Sequence, residues 1–380
     1  MLKIVADDKI PFLKGVLEPY AEMHYLPGGK ITRNDLKDAD ALITRTRTIC
    51  DETLLRGTSV KFIATATIGF DHIDADYCSA HDIAWTNAPG CNSTSVMQYL
   101  VSLLIREALR TNTPLNGMTL GVIGAGNVGS KVTAAAEALG MKVLINDPPR
   151  ARKEGSGPFV PLEMILEKAD FITCHVPLIL SGEDATLHLA DLEFFENARR
   201  KPFFINTSRG EVTDNPALKE ALRRGLLRGA ALDVWENEPE VDPELMDLLN
   251  YATPHIAGYS TDGKANGTAK SVNALSEFFG LGLSGFYPKN LPPPPFPRID
   301  INAEEPQLEQ IAQAVFAAYD ILADDQRFRA SPQTFEQQRG DYPLRREFSA
   351  YQVAAPQKDR EIFRKLGFQQ PEKETKCSII

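Results

Sequence analysis

GVIGAGNVGSKVTAAAEALGMKVLINDPPR, Gly121 to Arg150, is the stretch that decides the fold of this chain. The apolar run Leu120 to Ile123 reads as a buried strand. Gly124, Gly126 and Gly129 follow in GxGxxG spacing. The first permits a tight turn, the second lets a pyrophosphate approach the backbone, and the third lets the next helix pack closely on the strand. That helix opens at Asn127 and Val128, with unpaired N–H groups and the positive end of its dipole toward an anion. After Ala134 to Leu139, a second strand, Lys142 to Ile145, ends at Asp147. A carboxylate about 20 residues past the glycines takes up both ribose hydroxyls. The glycine spacing alone is a weak signal; strand, glycines, helix, strand and acid in order are a strong one. A bound dinucleotide is expected. Asp147 would repel a 2′-phosphate, which favours NAD over NADP, although Arg150 lies close enough to leave NADP open.

With 380 residues, 43% of them hydrophobic, the chain can build two or three real cores. Its formal charge of −10 argues against non-specific nucleic-acid binding but not against a locally basic pocket. No apolar run approaches the roughly 18 residues of a membrane helix. MLKIVADDKIPF begins as a strand and lacks the layout of a signal peptide. Cys50, Cys78, Cys91, Cys174 and Cys377 are irregularly spaced, so neither a disulfide framework nor a metal site is expected, and a reducing cytoplasm fits best. Cys377-Ser378-Ile379-Ile380 matches a prenylation box superficially; an ordinary tail is the better reading.

Upstream, Leu2 to Ala6, Ala41 to Thr44, Lys61 to Ala66 and Ile83 to Asn87 alternate with helical stretches, which implies a parallel sheet covered on both faces. Ser93 to Arg110 reads as a long helix. Downstream, Phe171 to Cys174, Phe203 to Asn206 and Ala230 to Asp233 are short apolar runs suited to buried parallel strands. Asn266 to Leu283 is helical in pattern, and by position returns to the first domain. LPPPPFP (291–297) is a stiff linker. Beyond it, Glu304 to Ala323 reads as one amphipathic helix, with Leu308, Ile311, Val315, Tyr319 and Leu322 on its apolar face. Glu347 to Val353 reads as a strand and Asp359 to Leu366 as a short helix. So small a tail is marginal on its own. It is expected to bury its apolar face on a second copy of the chain rather than on its own nucleotide domain.

The fold class is therefore α/β: two doubly wound parallel-sheet domains, one a Rossmann NAD domain and one a flavodoxin-like substrate domain, with a small α+β C-terminal domain. The expected boundaries are 1–92 with 256–287 for the substrate domain, 93–255 for the NAD domain, 288–297 for the linker and 298–380 for a dimerisation domain.

Four segments turn "binds NAD" into "uses NAD": HVPL (175–178), NTSRG (206–210), LDVWENEP (232–239) and TPHIAG (253–258). Open parallel sheets bind ligands at the carboxyl ends of their strands. Oxidising a 2-hydroxy acid needs a base for the hydroxyl proton, a carboxylate to orient and charge-balance that base, and a fixed forked cation for the substrate carboxylate. His255, Glu238 and Arg209 supply one of each. His175 has no acid partner in this logic and reads as structural.

Over about residues 40 to 285 these motifs, in this order, resemble the D-isomer-specific 2-hydroxyacid dehydrogenase family. The resemblance implies that Arg209 binds the substrate carboxylate and carbonyl, that Glu238 pairs with the catalytic histidine, and that His255 is the general acid/base. It implies that Asp233 holds the nicotinamide carboxamide, and that Val176, Asn206, Thr207, Ser208 and Gly258 line the cofactor. It also implies that the loop containing Gly69 gives backbone N–H groups to the substrate, with Thr46, Thr67 and Tyr259 as further contacts.

From the residues themselves, TRTRT (44–48) alternates hydroxyls and guanidiniums at a strand end, a good anion site. Arg45 and Arg47 thus point to a substrate with a second anionic group, most simply a phosphorylated 2-hydroxy acid. Other 2-hydroxy acids such as 3-phosphoglycerate or lactate, and an NAD-sensing corepressor-like role, stay open at this level.

Overall fold

In the computed structural model, which describes residues 1–371, the N-terminal strands are β1 (Leu2–Asp7), β2 (Ala21–Leu26), β3 (Ala41–Thr44), β4 (Phe62–Thr65) and β5 (Ala84–Thr86). All pair in parallel in the order β2-β1-β3-β4-β5, the flavodoxin-like winding. β3 and β4 are buried at every position, which is why ALIT and FIAT are unbroken apolar-plus-threonine runs. On one face Val5, Leu42 and Ile63 pack with Leu36, Leu54 and Cys78. On the other, Ile4, Ile43 and Phe62 pack with Val272 and Leu275 of the helix Thr261–Phe279. Gly267 lets that helix lie close, because a Cβ there would sit 2.4 Å from the Ala66 carbonyl oxygen. β2 is absent from the sequence expectation. It is an edge strand whose Glu22 is exposed between Ala21 and Met23, so its signal is weak alternation rather than an apolar run.

The second sheet contains β6 (Thr119–Ile123), β7 (Lys142–Asn146), β8 (Phe171–Cys174), β9 (Phe203–Asn206), β10 (Gly229–Leu232) and β11 (Tyr251–Ala252). The order is β11-β10-β9-β8-β6-β7, all parallel. Phe159 bridges Ile145 in parallel and extends the sheet beyond β7. With that edge the winding is the Rossmann one.

Residues 1–93 and 259–292 form one unit; residues 94–258, with the chain from 293 onward, form the other. The change of unit at Gly258 falls after the expected one at residue 255, because the Ile256 and Ala257 N–H groups are held by Asp233 of the second unit.

In the C-terminal extension, β12 (Arg298–Asp300) pairs in parallel with β13 (Gln352–Ala354). The single helix expected over Glu304 to Ala323 is two, Gln307–Ala318 and Ile321–Ala330. Tyr319 is extended at φ −160°, and the Asp320 carboxylate caps the second helix by accepting from the Leu322 N–H. The expected strand Glu347 to Val353 is shorter, a turn of 3₁₀ helix over Phe348–Ala350 followed by β13. Phe348, Phe363 and Phe368 make a small core of their own.

Other apolar side chains of the extension pack on the nucleotide unit. Phe328 and Phe335 join the nucleotide-unit core around Trp235, with Trp235 and Phe328 ring centres 6.0 Å apart. Tyr319 stacks on Tyr99 of the helix Ser93–Thr111. Part of the apolar face expected to lie on a second copy is thus covered by the core of its own chain.

Among the described residues no helix is long and apolar enough to cross a membrane, and no cluster of three metal-ligating side chains occurs. Cys50, Cys78, Cys91 and Cys174 are buried thiols, whereas Cys377 and the tail box Cys377–Ile380 lie outside the described residues.

Candidate active site

The three glycines of the nucleotide loop are required for three different reasons. Gly124 has φ +88°, and a Cβ there would lie 2.5 Å from the His175 carbonyl oxygen. Gly129 is packed so closely that a Cβ would lie 1.9 Å from the Gly124 carbonyl oxygen. Gly126 is the opposite case: nothing lies within 4 Å of its would-be Cβ. That open space faces the start of the helix Asn127–Ala138, whose N-cap offers no side chain to the first N–H groups. Exposed Asn127 and part-buried Val128 form the rim. These residues fit a pyrophosphate, with free N–H donors and room at the one glycine that packing does not require. Asp147 follows β7, where its carboxylate accepts from the Ala125 N–H at 2.8 Å and caps the helix Pro148–Glu154 through the Arg150 N–H at 3.1 Å. It braces the glycine loop as well as standing where a ribose would be read. Arg150 donates to the Ala125 carbonyl oxygen at 2.6 Å and pairs with Glu154, so its guanidinium is already engaged.

The strand ends of this sheet carry the remaining motifs. After β8, His175 and Val176 border Gly124. The His175 ring is hydrogen-bonded to two hydroxyls, Thr173 at 3.0 Å and Thr207 at 3.4 Å. Burial drives its pKa down to about 3, so it stays neutral. After β9, Asn206 is fully buried and accounts for the shape of the NTSRG loop. Its Oδ1 accepts from the Ser208 N–H and hydroxyl at 3.0 and 2.7 Å, and its Nδ2 donates to the Arg209 carbonyl and to Thr213. The Asn206 side chain is thus turned inward; Thr207 and Arg209 are the partly exposed members of the loop. Gly210 is needed because a Cβ would lie 2.0 Å from the Trp235 carbonyl oxygen. This contact brings the Arg209 loop against the DVWENEP segment.

After β10, Asp233 is 1% exposed and accepts from three donors: the Thr253 hydroxyl at 2.6 Å, the Ile256 N–H at 2.8 Å and the Ala257 N–H at 2.9 Å. Burial raises its pKa, opposed by His255 and by these hydrogen bonds. Its observed work is to shape the TPHIAG loop after β11. Two residues that sequence reasoning did not single out share that work. The Trp235 indole N–H donates to the Thr253 carbonyl at 3.0 Å, and the Tyr99 hydroxyl meets the Thr253 hydroxyl at 2.8 Å. Thr253 stands inside a recognised motif; Tyr99, 154 residues upstream, gives no local signal.

His255 follows at φ +56° with its side chain about one-third exposed. Its Nδ1 lies 2.8 Å from Glu238 Oε2, while Glu238 Oε1 accepts the Trp235 N–H at 3.0 Å. Nδ1–H donation to the carboxylate leaves Nε2 as the proton acceptor, the tautomer a general base needs. Burial alone would raise the Glu238 carboxyl. The hydrogen bond and charge of His255, the Trp235 N–H and the charge of Arg339 together hold it below the ordinary range. The glutamate stays ionised and ready to balance an imidazolium.

In the first unit, TRTRT follows β3. Thr46 and Arg47 are exposed, and Arg45 is part-buried and donates to the Lys9 carbonyl at 3.3 Å. The two arginines diverge: Arg47 lines a depression with Gly28, Thr32 and Arg33, of which Arg45 is not part. After β4, the Thr67 hydroxyl meets Thr65 at 2.8 Å and donates to the Gly69 carbonyl at 3.0 Å, closing the glycine loop on itself. Tyr259 lies under the Lys264 ammonium, 5.3 Å from ring centre to nitrogen.

Comparison with known proteins agrees with this geometry. Residues 98–257 match the model of the D-isomer-specific 2-hydroxyacid dehydrogenase NAD-binding domain, and residues 290–367 match a domain of unknown function. Erythronate-4-phosphate dehydrogenase of Bacteroides thetaiotaomicron is 51% identical, over 93% of this chain and 99% of that protein. The protein of the same name from Porphyromonas gingivalis is 42% identical, over 97% of this chain and all of its own. Among solved structures, D-lactate dehydrogenase from Aquifex aeolicus complexed with NAD and lactic acid superposes with a TM-score of 0.60 at 27% identity, over 74% of this chain and 96% of its own. The chain belongs to the D-isomer-specific 2-hydroxyacid dehydrogenases, NAD-dependent enzymes, within the erythronate-4-phosphate dehydrogenase family.

Proposed function

We propose that this dehydrogenase oxidises 4-phospho-D-erythronate at C2, giving 2-oxo-3-hydroxy-4-phosphobutanoate and NADH, on the route to pyridoxal 5′-phosphate. The single observation that carries the chemistry is the 2.8 Å contact between His255 Nδ1 and Glu238 Oε2, in the same strand-end array as Arg209. The names of the relatives that match nearly the whole chain support the choice of substrate.

In this reading His255 Nε2 removes the C2 hydroxyl proton, and Glu238 holds the ring and balances the imidazolium. Arg209 binds the substrate carboxylate as a fork and polarises the growing carbonyl. NAD, when bound, supplies the hydride acceptor. The N–H groups at Gly126, Asn127, Val128 and Gly129 hold its pyrophosphate in the turn that Gly124 makes, Asp147 its ribose, and Val176, Thr207, Ser208, Asp233 and Gly258 the nicotinamide side, with Asn206 acting through the loop it shapes. Thr46, Thr67, Gly69 and Tyr259 contact the substrate, and Arg45 and Arg47 attract its phosphate. We further propose a cytoplasmic homodimer formed through the C-terminal extension, whose Phe296 and Leu344 are exposed; sedimentation equilibrium tests the dimer.

The test is NADH formation with 4-phospho-D-erythronate, erythronate and 3-phosphoglycerate, each with a 2-oxo acid added in parallel to reoxidise tightly held cofactor. Selective turnover of phosphoerythronate is expected. Turnover of none of them, despite tight NADH binding, would overturn the substrate assignment.

A further inference from the structure

The backbones of the two residues that follow His255 are gripped from both sides. Asp233 takes the N–H groups of Ile256 and Ala257, at 2.8 and 2.9 Å. The carbonyls of the same two residues accept from Arg345 Nη1, at 3.4 and 3.2 Å. Arg345 belongs to the C-terminal extension, 89 residues beyond Ile256.

Its guanidinium is itself fixed on every edge. Nε donates to Gln98 Oε1 at 2.8 Å and Nη2 to the Ser95 carbonyl at 2.6 Å, both on the helix Ser93–Thr111. Its Cζ lies 3.6 Å from the centre of the Tyr319 ring. Asp324 stands beside it and accepts the Tyr319 and Tyr342 hydroxyls, at 2.9 and 2.6 Å. Arg345 is 4% exposed, and the Asp324 carboxylate beside it is paired with Arg327. Burying a full charge is costly, and an apolar side chain fills such a space at lower cost. A guanidinium used here on backbone carbonyls does something packing cannot: with the Asp233 carboxylate opposite, it holds the N–H and the C=O of both residues, and so both polar groups of the peptide that joins them. The locked segment carries a histidine held at φ +56°, a conformation that persists only when its surroundings enforce it.

Neighbouring parts of the extension brace β11 and the turn that leads into it. Asp325 accepts the Ala252 N–H of β11 at 2.7 Å, and Arg329 donates to the carbonyls of Met246 and Leu249 at 2.7 and 2.9 Å.

We propose that Arg345 is a positioning residue for His255, clamping the Ile256 and Ala257 peptides against Asp233, so that the C-terminal extension is part of the catalytic apparatus of its own chain. The kinetic arm of the test rests on the substrate assignment above; a second arm does not.

In the full-length enzyme, Arg345→Ala and Arg345→Lys should lower kcat about thirtyfold or more while KM and the NADH Kd stay within about threefold, because geometry at the base is lost and binding is not. Guanidinium ion at non-denaturing concentration should restore about tenfold of the Arg345→Ala rate and leave the wild type unchanged. Gln98→Ala, which frees Nε but keeps the charge, should give an intermediate loss and stands in if Arg345→Ala does not fold. Without any substrate, hydrogen exchange at the Ile256 and Ala257 amides should quicken about tenfold in the variants. A folded variant with wild-type kcat, a loss that merely follows the folded fraction and resists rescue, or unchanged exchange at these two amides would overturn the proposal. Unchanged exchange does so even if the wild type proves inactive on phosphoerythronate, an outcome that sinks the substrate assignment alone.

Discussion

The two parallel sheets share a winding logic and differ in what stands at the ends of their strands. In the nucleotide unit the strand-end residues are charged and held by buried partners: Asn206 shapes the Arg209 loop, Asp233 the His255 loop, and Glu238 the imidazole. In the first unit the strand-end hydroxyls are spent on backbone carbonyls of the loops. Thr44 donates to the Arg45 carbonyl, Thr48 to the Gly28 carbonyl and Thr67 to the Gly69 carbonyl. In the proposed function one sheet presents the groups that move protons and hold charge, and the other presents loops that shape the substrate's surroundings. Similar scaffolds thus divide the labour of one reaction by what is spared from holding the loop together.

If that division is right, substitutions in the nucleotide unit should dominate. His255→Ala should lower kcat about 10³-fold, the scale of a lost general base, with NADH affinity within a few-fold. A loss of NADH binding equal to the loss of rate would break the assignment. Arg209→Lys keeps the charge but not the fork and should cost about 10²-fold in kcat/KM, the effect of one misplaced electrostatic contact. Wild-type kinetics in that variant would remove Arg209 from the substrate.

The glycine loop sharpens the contrast between structure and binding inside one motif. Gly126→Ala adds a methyl to open space, so Tm should hold while NADH affinity falls about tenfold through crowding of the pyrophosphate. Gly129→Ala forces a methyl to 1.9 Å from a backbone oxygen, so it should lower Tm before affinity can be read. Equal behaviour of the two variants, by melting and fluorescence titration, would refute the separate roles.

What could be read from the sequence follows from how local the cause is. Strands buried on both faces were legible as apolar runs: β8 and β9 fall on Phe171–Cys174 and Phe203–Asn206, as expected. The Arg209, Glu238 and His255 motifs were legible because each stands where its strand ends. Edge strand β2 was not, because one face meets water and its alternation is shallow. The helix break at Tyr319 was missed because an apolar stripe continues through it, and only the Asp320 cap marks the stop. The support beneath the site was invisible in principle. Tyr99, Phe328 and Arg345 act on partners roughly 90 to 150 residues away, and nothing local in YPLRREF distinguishes a buried arginine from a solvated one. The divergence of Arg45 and Arg47 belongs here too, since alternation predicts a shared face only in a strand and TRTRT ends in a turn.

In the first unit, Thr67→Val should raise KM for the phosphorylated acid only a few-fold, through relaxation of the Gly69 loop, because a lost neutral hydrogen bond is worth about 1 kcal/mol. A collapse of kcat instead would place the Thr67 hydroxyl on the reacting atoms and erase the contrast between the sheets.

The smallest effect separates two histidines of one sheet. Both residues are part-buried, but His255 stands against a carboxylate, whereas His175 meets hydroxyls and desolvation pushes its pKa to about 3, from 6.5. A histidine whose folded pKa is depressed gives its full contribution to stability above 6.5. The contribution is lost as pH falls from there toward 3, because the unfolded chain binds a proton that the fold refuses. Between pH 6.5 and 5 this one group should remove about 2 kcal/mol, at 1.36 kcal/mol per unit. His175→Gln keeps a polar contact to the Thr173 hydroxyl but cannot titrate. Its unfolding free energy, from urea melts at pH 8, 6.5 and 5, should fall less steeply than the wild type's by about that amount, while kcat near pH 8 barely changes. Parallel acid slopes would mean that the fold can accommodate a charged His175. The neutral ring would then no longer distinguish it from the catalytic histidine.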